Sequence, residues 1–204
     1  MVLVAQAAAG IRPSAASSAL AATLTAGLLV AGPLPAPAHG AQPVVDARDA
    51  RGDVRIYHRV SGVPQAERRG IDIRRATVTK VGNRFRFEVR VKRLWLRRPY
   101  DQMAFVHLTQ VDGPWTSEVA MSPQQPSRAY AVRYDQESFE YVNCDGVRTK
   151  SRAAQARFWV VVPKRCVPAG PVRIKVITLT GTFRGDGWPW SRDNLAVPGR
   201  HTLR

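Results

Sequence analysis

The stretch that decides the fold is RFRFEVRVK, at residues 84–92. Phenylalanine and valine alternate strictly with charged residues along it, and a period of two residues predicts a strand with one buried and one exposed face. The preceding stretch, residues 75–81, is rich in valine and threonine. Gly82 and Asn83 separate the two stretches, and because both residue types tolerate positive φ they predict a two-residue turn and a β-hairpin.

Further strands are indicated along the rest of the chain. We predict them at residues 103–109, 117–121, 129–134, 139–142, 156–162 and 172–180. The run FWVVV at residues 158–162 is apolar on both faces and therefore indicates an interior strand. No stretch after residue 45 has the period of an amphipathic helix. We therefore expect an all-β fold, an antiparallel two-sheet sandwich, immunoglobulin-like or jelly-roll-like, of about eight or nine strands.

The first 40 residues have the pattern of a signal peptide. Residues 13–45 contain no Asp, Glu, Lys or Arg, and the apolar run at 19–30 ends in Gly32 and Pro33. That run is too short for a membrane span, and small residues around Ala38 offer a cleavage site. We expect a secreted protein, extracellular or attached to the cell wall, with no transmembrane span in the mature chain. The alternative is an uncleaved N-terminal anchor.

The rest of the chain is expected to form a single domain. Residues 41–52 are predicted to be a lead-in, residues 53–190 the β-sandwich, and residues 191–204 an irregular C-terminal tail. We find no internal repeat that would divide the sandwich further.

Cys144 and Cys166 are the two cysteines of the chain. Because export leads to an oxidising compartment, we predict that they form a disulfide. Two cysteines without a neighbouring histidine do not make a structural zinc site, and there is no Cys-x-x-Cys motif that would indicate thioredoxin-type redox chemistry.

The chain carries a large positive charge. It has 31 Lys and Arg against 15 Asp and Glu, a formal net charge of +16 at pH 7. Such a charge favours anionic partners such as nucleic acid, acidic envelope polymers or anionic lipid. Few of these basic residues are lysine, however, and a GC-rich coding bias also produces an arginine excess. The charge alone is therefore weak evidence of function.

A patch of cations and aromatic rings begins at the end of the hairpin. Trp95 and Tyr100 stand among five basic residues: Arg90, Lys92, Arg93, Arg97 and Arg98. Cations beside stacking faces bind single-stranded nucleic acid or acidic glycans. The alternative is an ordinary solvated face, since Arg90 and Lys92 share the exposed side of one predicted strand.

Trp188 and Trp190 form a second candidate binding site. They flank a proline and lie near charged residues, and two indole rings on a loop can stack on sugar rings. The alternative is that both rings pack beneath the C-terminal tail, because large aromatic side chains usually bury most of their area.

Four carboxylates are candidate metal ligands: Asp49, Asp53, Asp72 and Asp186. Sandwich proteins can gather acids at strand ends around a hard cation that takes six or more oxygen ligands. The alternative is that these side chains cap turns or pair with the abundant arginines.

Motifs of known enzyme classes are absent, including His-Glu-x-x-His, Gly-x-Ser-x-Gly, the P-loop and Gly-x-Gly-x-x-Gly. We therefore expect neither catalysis nor a cofactor. A catalytic triad can still assemble in space, and His58, His107 or His201 would be its histidine.

Three patches occur together in the chain: DARGDV at residues 49–54, GIDI at residues 70–73 and VPKRC at residues 162–166. In this combination, behind a signal peptide, residues 46–190 resemble a group of small secreted proteins of actinobacteria that are mostly uncharacterised and presumed β-sandwiches. The resemblance implies export, a sandwich and one disulfide, and it carries no established activity or catalytic residues.

The sequence thus favours a secreted, non-enzymatic β-sandwich that binds an anionic cell-envelope polymer or glycan. The alternatives are a small secreted hydrolase with spatially assembled residues and a salt-dependent nucleic-acid binder. No motif indicates a specific protein partner.

Overall fold

Two antiparallel sheets make up the fold. The computed structural model describes residues 43–57, 63–96, 101–182 and 189–204. The predicted signal peptide at residues 1–40 lies outside the described residues.

The first sheet has five strands, in the order β1-β3-β4-β10-β9. Their bounds are β1 Pro43–Arg48, β3 Ile73–Val81, β4 Arg84–Val91, β9 Arg148–Arg152 and β10 Arg157–Pro163. Every pair in this sheet is antiparallel.

The second sheet has seven strands, in the order β2-β12-β11-β5-β6-β7-β8. Their bounds are β2 Arg55–Ile56, β5 Asp101–Gln110, β6 Trp115–Met121, β7 Tyr130–Asp135, β8 Tyr141–Asn143, β11 Pro171–Gly181 and β12 Pro189–Thr202. A short helix, α1 Gln65–Arg68, precedes β3. The predicted two-sheet sandwich is confirmed, with twelve strands among the described residues in place of the eight or nine expected.

The hairpin predicted around residues 75–92 is β3 and β4. Val81 pairs with Arg84, so Gly82 and Asn83 form the two-residue turn. Gly82 has a φ of 58°, a left-handed conformation that glycine adopts at little cost. The strand FWVVV is β10, which pairs with β4 on one side and β9 on the other, and the predicted interior position is confirmed.

The core lies between the inner faces of the two sheets. Phe87 of β4, Val106 of β5 and Val176 of β11 line the same small void of about 10 Å³ and are almost fully buried. The alternation along each strand puts one set of side chains into this layer and the other set on the outer face. The charged residues of RFRFEVRVK therefore face outward.

Three buried hydrogen bonds join the start of β3 and the segment before it to the seven-stranded sheet. Thr178 Oγ1 donates to the Ile71 carbonyl at 2.8 Å, and Ser191 Oγ donates to the Arg68 carbonyl at 2.8 Å. The backbone N–H of Ile73 donates to Asp193 Oδ2 at 2.6 Å. These bonds fix the corner of the sandwich at which an acidic cluster forms.

Two predicted segment assignments and one strand boundary were wrong. Residues 191–204 are not an irregular tail, because they belong mostly to β12, which pairs with both β11 and β2. Residues 41–52 are not a plain lead-in, because they contain β1, which pairs with β3. The predicted strand at 139–142 begins later, at Tyr141, since Phe139 has a φ of 58° that ends extended pairing.

Within the described ranges, no helix has the length and hydropathy that a membrane crossing requires.

Candidate functional site

A row of arginines crosses the outer face of the five-stranded sheet. The register places Arg48 of β1 opposite Arg75 of β3, and Arg75 opposite Arg90 of β4. Arg90 in turn lies opposite Arg157 of β10, which lies opposite Arg152 of β9. Directly opposed residues of antiparallel strands project from the same face. All five strands thus contribute one arginine to a continuous line, which we call the arginine row.

Two members of the arginine row are neutralised by carboxylates. Arg75 donates two hydrogen bonds to Asp46, at 2.6 and 2.5 Å, and these bonds lower the pKa of Asp46. Arg157 Nη1 lies 3.3 Å from Glu88 Oε1. The paired arginines are thus the second and fourth members of the row.

The other three members, Arg48, Arg90 and Arg152, have no carboxylate within ion-pair distance among the described residues, and all three are exposed. They come from every second strand of the sheet. Neighbouring strands lie about 4.8 Å apart, so these uncompensated charges are spaced about 10 Å apart.

Trp159 of β10 presents a half-exposed ring beside the arginine row. The guanidinium carbons of Arg157, Arg86 and Arg152 lie 5.5, 5.9 and 6.0 Å from its ring centroid. These distances are within the range of cation–π attraction. The indole therefore helps to hold cationic side chains in place on this face.

Two adjoining grooves follow the arginine row. One has a volume of about 540 Å³ and includes Arg86 and Arg157 in its lining. The other has a volume of about 780 Å³ and includes Arg48 and Lys92. Arg75, Arg90, Ala154 and Gln155 line both grooves. The turn between β9 and β10 thus forms a wall along a strongly basic channel.

Only some residues of the predicted cation patch line this channel. Arg90 and Lys92 line it. Arg93 and Trp95 do not line either groove: the Arg93 guanidinium stacks over the Trp95 ring, with its carbon 4.0 Å from the ring centroid. Three residues of the predicted patch lie outside the described residues: Arg97, Arg98 and Tyr100.

Sequence reasoning missed most of the arginine row and Trp159. The row is a property of strand register, which brings together residues that are distant in the sequence. The largest separation within an opposed pair is the 67 positions between Arg90 and Arg157. The available signal was local: arginines at outward positions of strands already predicted, such as Arg86 and Arg90 of β4.

Of the predicted tryptophan pair, the structure describes Trp190. Trp190 is half-buried in β12, where its carbonyl accepts a hydrogen bond of 2.9 Å from the backbone N–H of Tyr57. Trp188 lies outside the described residues, so the pair stays a prediction.

Three of the four predicted metal ligands lie in one region. Carboxylate oxygens of Asp49 and Asp53 lie within 4.8 Å of each other and of an oxygen of Asp193, which sequence reasoning missed. Asp72 lies close enough to raise the pKa of both Asp49 and Asp193 by charge repulsion. Asp186 lies outside the described residues. We call Asp49, Asp53, Asp72 and Asp193 the acidic cluster.

The acidic cluster shows the electrostatic effect of its own crowding. Burial and the nearby charge of Asp193 raise the pKa of Asp49 to about 6, although a hydrogen bond from the Ala50 N–H opposes the rise. Burial also raises the pKa of Asp193, against the hydrogen bonds that it accepts from Ile73 and Asn194. Burial is thus the main cause of both shifts, and the charges of the neighbouring carboxylates add to it.

The predicted disulfide is not present. Cys144 and Cys166 are free thiols and both are buried. They are neighbours, since burial and a hydrogen bond with Cys144 raise the pKa of the Cys166 thiol to about 12. Cys144 follows β8 and Cys166 ends the turn after β10, so the fold brings the two thiols together as expected without joining them.

The histidines considered for a triad occupy separate surroundings. His107 of β5 has its Nδ1 3.7 Å from Glu118 Oε2, and burial lowers its pKa. The ring of His201 is hydrogen bonded to the Pro198 carbonyl at 2.9 Å. His58 lies outside the described residues. In the described part of the chain, no serine is hydrogen bonded to a histidine.

Comparison with known proteins assigns neither a family nor an activity: no protein-family model matches the chain, and no curated protein matches it significantly. The functional assignment therefore depends on the geometry of the site.

Proposed function

We propose that the protein is a secreted, non-enzymatic binding protein that holds a linear anionic polymer of the cell envelope, a cell-wall polymer or an acidic glycan, along the arginine row. The observation that carries this proposal is the alignment of five arginines across all five strands of one sheet.

The alignment has a cost for folding that a bound anion would remove. Like charges placed directly opposite each other destabilise a sheet. A coding bias towards arginine raises the number of arginines in a chain, but it does not select for their alignment in one row. Among the described residues, carboxylates pair with Arg75 and Arg157 alone in the row, so the row keeps three cations without such a partner for a ligand.

The spacing of these cations suits an extended polymer. Four interstrand steps of about 4.8 Å give the arginine row a length of about 19 Å, at right angles to the strands. A polymer lying along the row would meet the uncompensated Arg48, Arg90 and Arg152 in turn. Guanidinium groups bind phosphate and carboxylate with two parallel hydrogen bonds, which a lysine cannot do.

The aromatic content of the face favours a cell-envelope polymer over single-stranded nucleic acid. Proteins that hold single strands without sequence preference stack successive bases on several aromatic rings. On the described outer face of this sheet, Trp159 is the aromatic ring beside the arginine row. A single ring can pack against a sugar or polyol unit between two charged groups.

The proposal is tested by a matched pair of double variants. Arg48→Gln with Arg90→Gln removes two uncompensated members of the row, and Arg173→Gln with Arg200→Gln removes two exposed arginines of the other sheet. Both variants lose the same charge. Binding of poly(glycerol phosphate) and of alginate, measured by titration calorimetry, is expected to weaken about tenfold in the first variant and less than about twofold in the second.

Any of three results would count against the proposal. Equal losses in the two variants would mean that net charge, and not the arginine row, governs binding. No binding of either polymer by the wild-type chain at low salt would remove the proposed ligand class. Tighter binding of DNA than of both polymers would favour the nucleic-acid alternative.

A further inference from the structure

We propose that the acidic cluster binds a divalent cation that prefers oxygen ligands, of the calcium type, with Asp49, Asp53 and Asp193 as its protein ligands. This inference is independent of the proposed polymer binding.

The three ligands come from two distant parts of the chain to one corner of the sandwich. Asp49 directly follows β1, Asp53 lies in the turn after it, and Asp193 belongs to β12 of the other sheet. Their oxygens all lie within 4.8 Å of one another. Calcium–oxygen bonds are about 2.3–2.6 Å long, so ligands around one ion lie at most about 5 Å apart. The cluster therefore has the dimensions of one coordination shell.

Buried carboxylate oxygens without a donor give a second, independent indication of a ligand. Asp72 is only 1% exposed, yet its Oδ1 accepts no hydrogen bond from the protein. Asp49 Oδ2 is also buried and also lacks a donor. Buried charged oxygens are nearly always hydrogen bonded or metal bound, because leaving them unsatisfied is costly. A cation bound by Asp49, Asp53 and Asp193 would satisfy Asp49 Oδ2 directly and would offset the buried negative charge of Asp72.

Asp72 also holds the ligand-bearing loop in place. Its Oδ2 accepts hydrogen bonds of 3.0 Å from the backbone N–H of Gly52 and of 3.0 Å from Arg74. Gly52 has a φ of 84°, a conformation that glycine favours, and it directly precedes Asp53. Asp72 thus acts as a positioning residue behind the ligands, as second-layer carboxylates do in metal sites.

Charge balance and access also suit a cation. The acidic cluster has four carboxylates. Among the described residues, the cationic side chain that is hydrogen bonded to it is Arg74. Asp49 also lines the larger basic groove, which opens the cluster to solvent. The ligand set contains only oxygen, and this favours calcium, magnesium or manganese over zinc or copper, which prefer nitrogen and sulfur.

The test measures metal binding by the full chain in the absence of any polymer. After treatment with a chelator, the protein is titrated calorimetrically with calcium, magnesium and manganese chlorides, and its Tm is followed in parallel. We expect binding of one ion per chain and a Tm that rises with the concentration of the preferred ion.

Asp53→Asn is the decisive variant, because Asp53 is exposed and the described hydrogen bonds of this corner are accepted by other aspartates. It is expected to keep or slightly raise the metal-free Tm, because the charge of Asp53 repels Asp49 and Asp193, and to weaken ion binding about tenfold or more. Asp112→Asn, at an exposed aspartate elsewhere, is the matched control and should bind normally. Absence of heat and of any Tm shift with all three ions at millimolar concentration would overturn the proposal, and so would unchanged binding in Asp53→Asn.

Discussion

Arg90 lies in the middle of the arginine row, so replacing it should stabilise the protein while weakening ligand binding. Arg75 and Arg157 lie directly opposite it on either side. Two unit charges about 6 Å apart in water repel each other by about 0.7 kcal/mol, and 0.15 M salt reduces this by about half. Two such neighbours, each partly balanced by Asp46 or Glu88, leave a net repulsion of about 0.4 kcal/mol.

Arg90→Gln is therefore expected to raise the free energy of unfolding by about 0.4 kcal/mol at physiological salt and by about twice that at 10 mM salt. For a domain of this size the corresponding rise in Tm is about 1 °C and about 2 °C. Thermal unfolding followed by circular dichroism at 10 and 500 mM salt measures the difference. Arg173→Gln is the control, because Arg173 lies opposite Thr109 and has no opposed arginine in that pair.

The reasoning would be refuted if Arg90→Gln lowered Tm, or if it raised Tm equally at both salt concentrations. The first result would assign Arg90 a structural role in the sheet. The second would mean that lost charge repulsion is not the cause of the gain.

Three further predictions concern the core and the thiols. Phe87→Ala should lower the free energy of unfolding by about 3–5 kcal/mol in urea denaturation, because the ring is 1% exposed between the sheets. Ser191→Ala should cost about 1–3 kcal/mol in the same assay, since it removes the buried hydrogen bond that Ser191 Oγ donates to the Arg68 carbonyl, whereas a cost near zero would contradict that interpretation. Cys144 and Cys166 should react slowly with a thiol reagent in the native protein and fully after denaturation; no reactive thiol after denaturation would reveal a disulfide.

Local patterns predicted the hairpin but not the strands that close the sheets. Strict alternation along β4 and the pair Gly82 and Asn83 are contained within a short stretch, so the sequence alone identifies them. In β12, Pro198 and Gly199 interrupt the alternation, and the strand is fixed by pairing with β11 and β2. Such a strand is stabilised by partners that are distant in sequence, and single-sequence patterns do not contain them.

The same distinction between local patterns and distant strand pairing holds for the residues of the candidate sites. Residue type identified Asp49, Asp53 and Asp72 as candidate ligands, because acids at strand ends are a recognisable pattern. Asp193 could not be found, since it reaches the cluster from a strand 140 positions after Asp53, where no strand was predicted. Likewise Arg90 was predicted as part of a basic face, whereas its opposition to Arg157 depends on the register of β4 and β10.

The central claim, that the arginine row holds a linear polyanion, is tested most directly by the salt dependence of binding. Wild-type protein and the triple variant Arg48→Gln, Arg90→Gln and Arg152→Gln are titrated with poly(glycerol phosphate) between 50 and 400 mM salt. Each lost contact should reduce the slope of log K against log salt by about 0.7–0.9, so the variant's slope should be shallower by about 2 or more. Identical slopes for the two proteins would contradict the account.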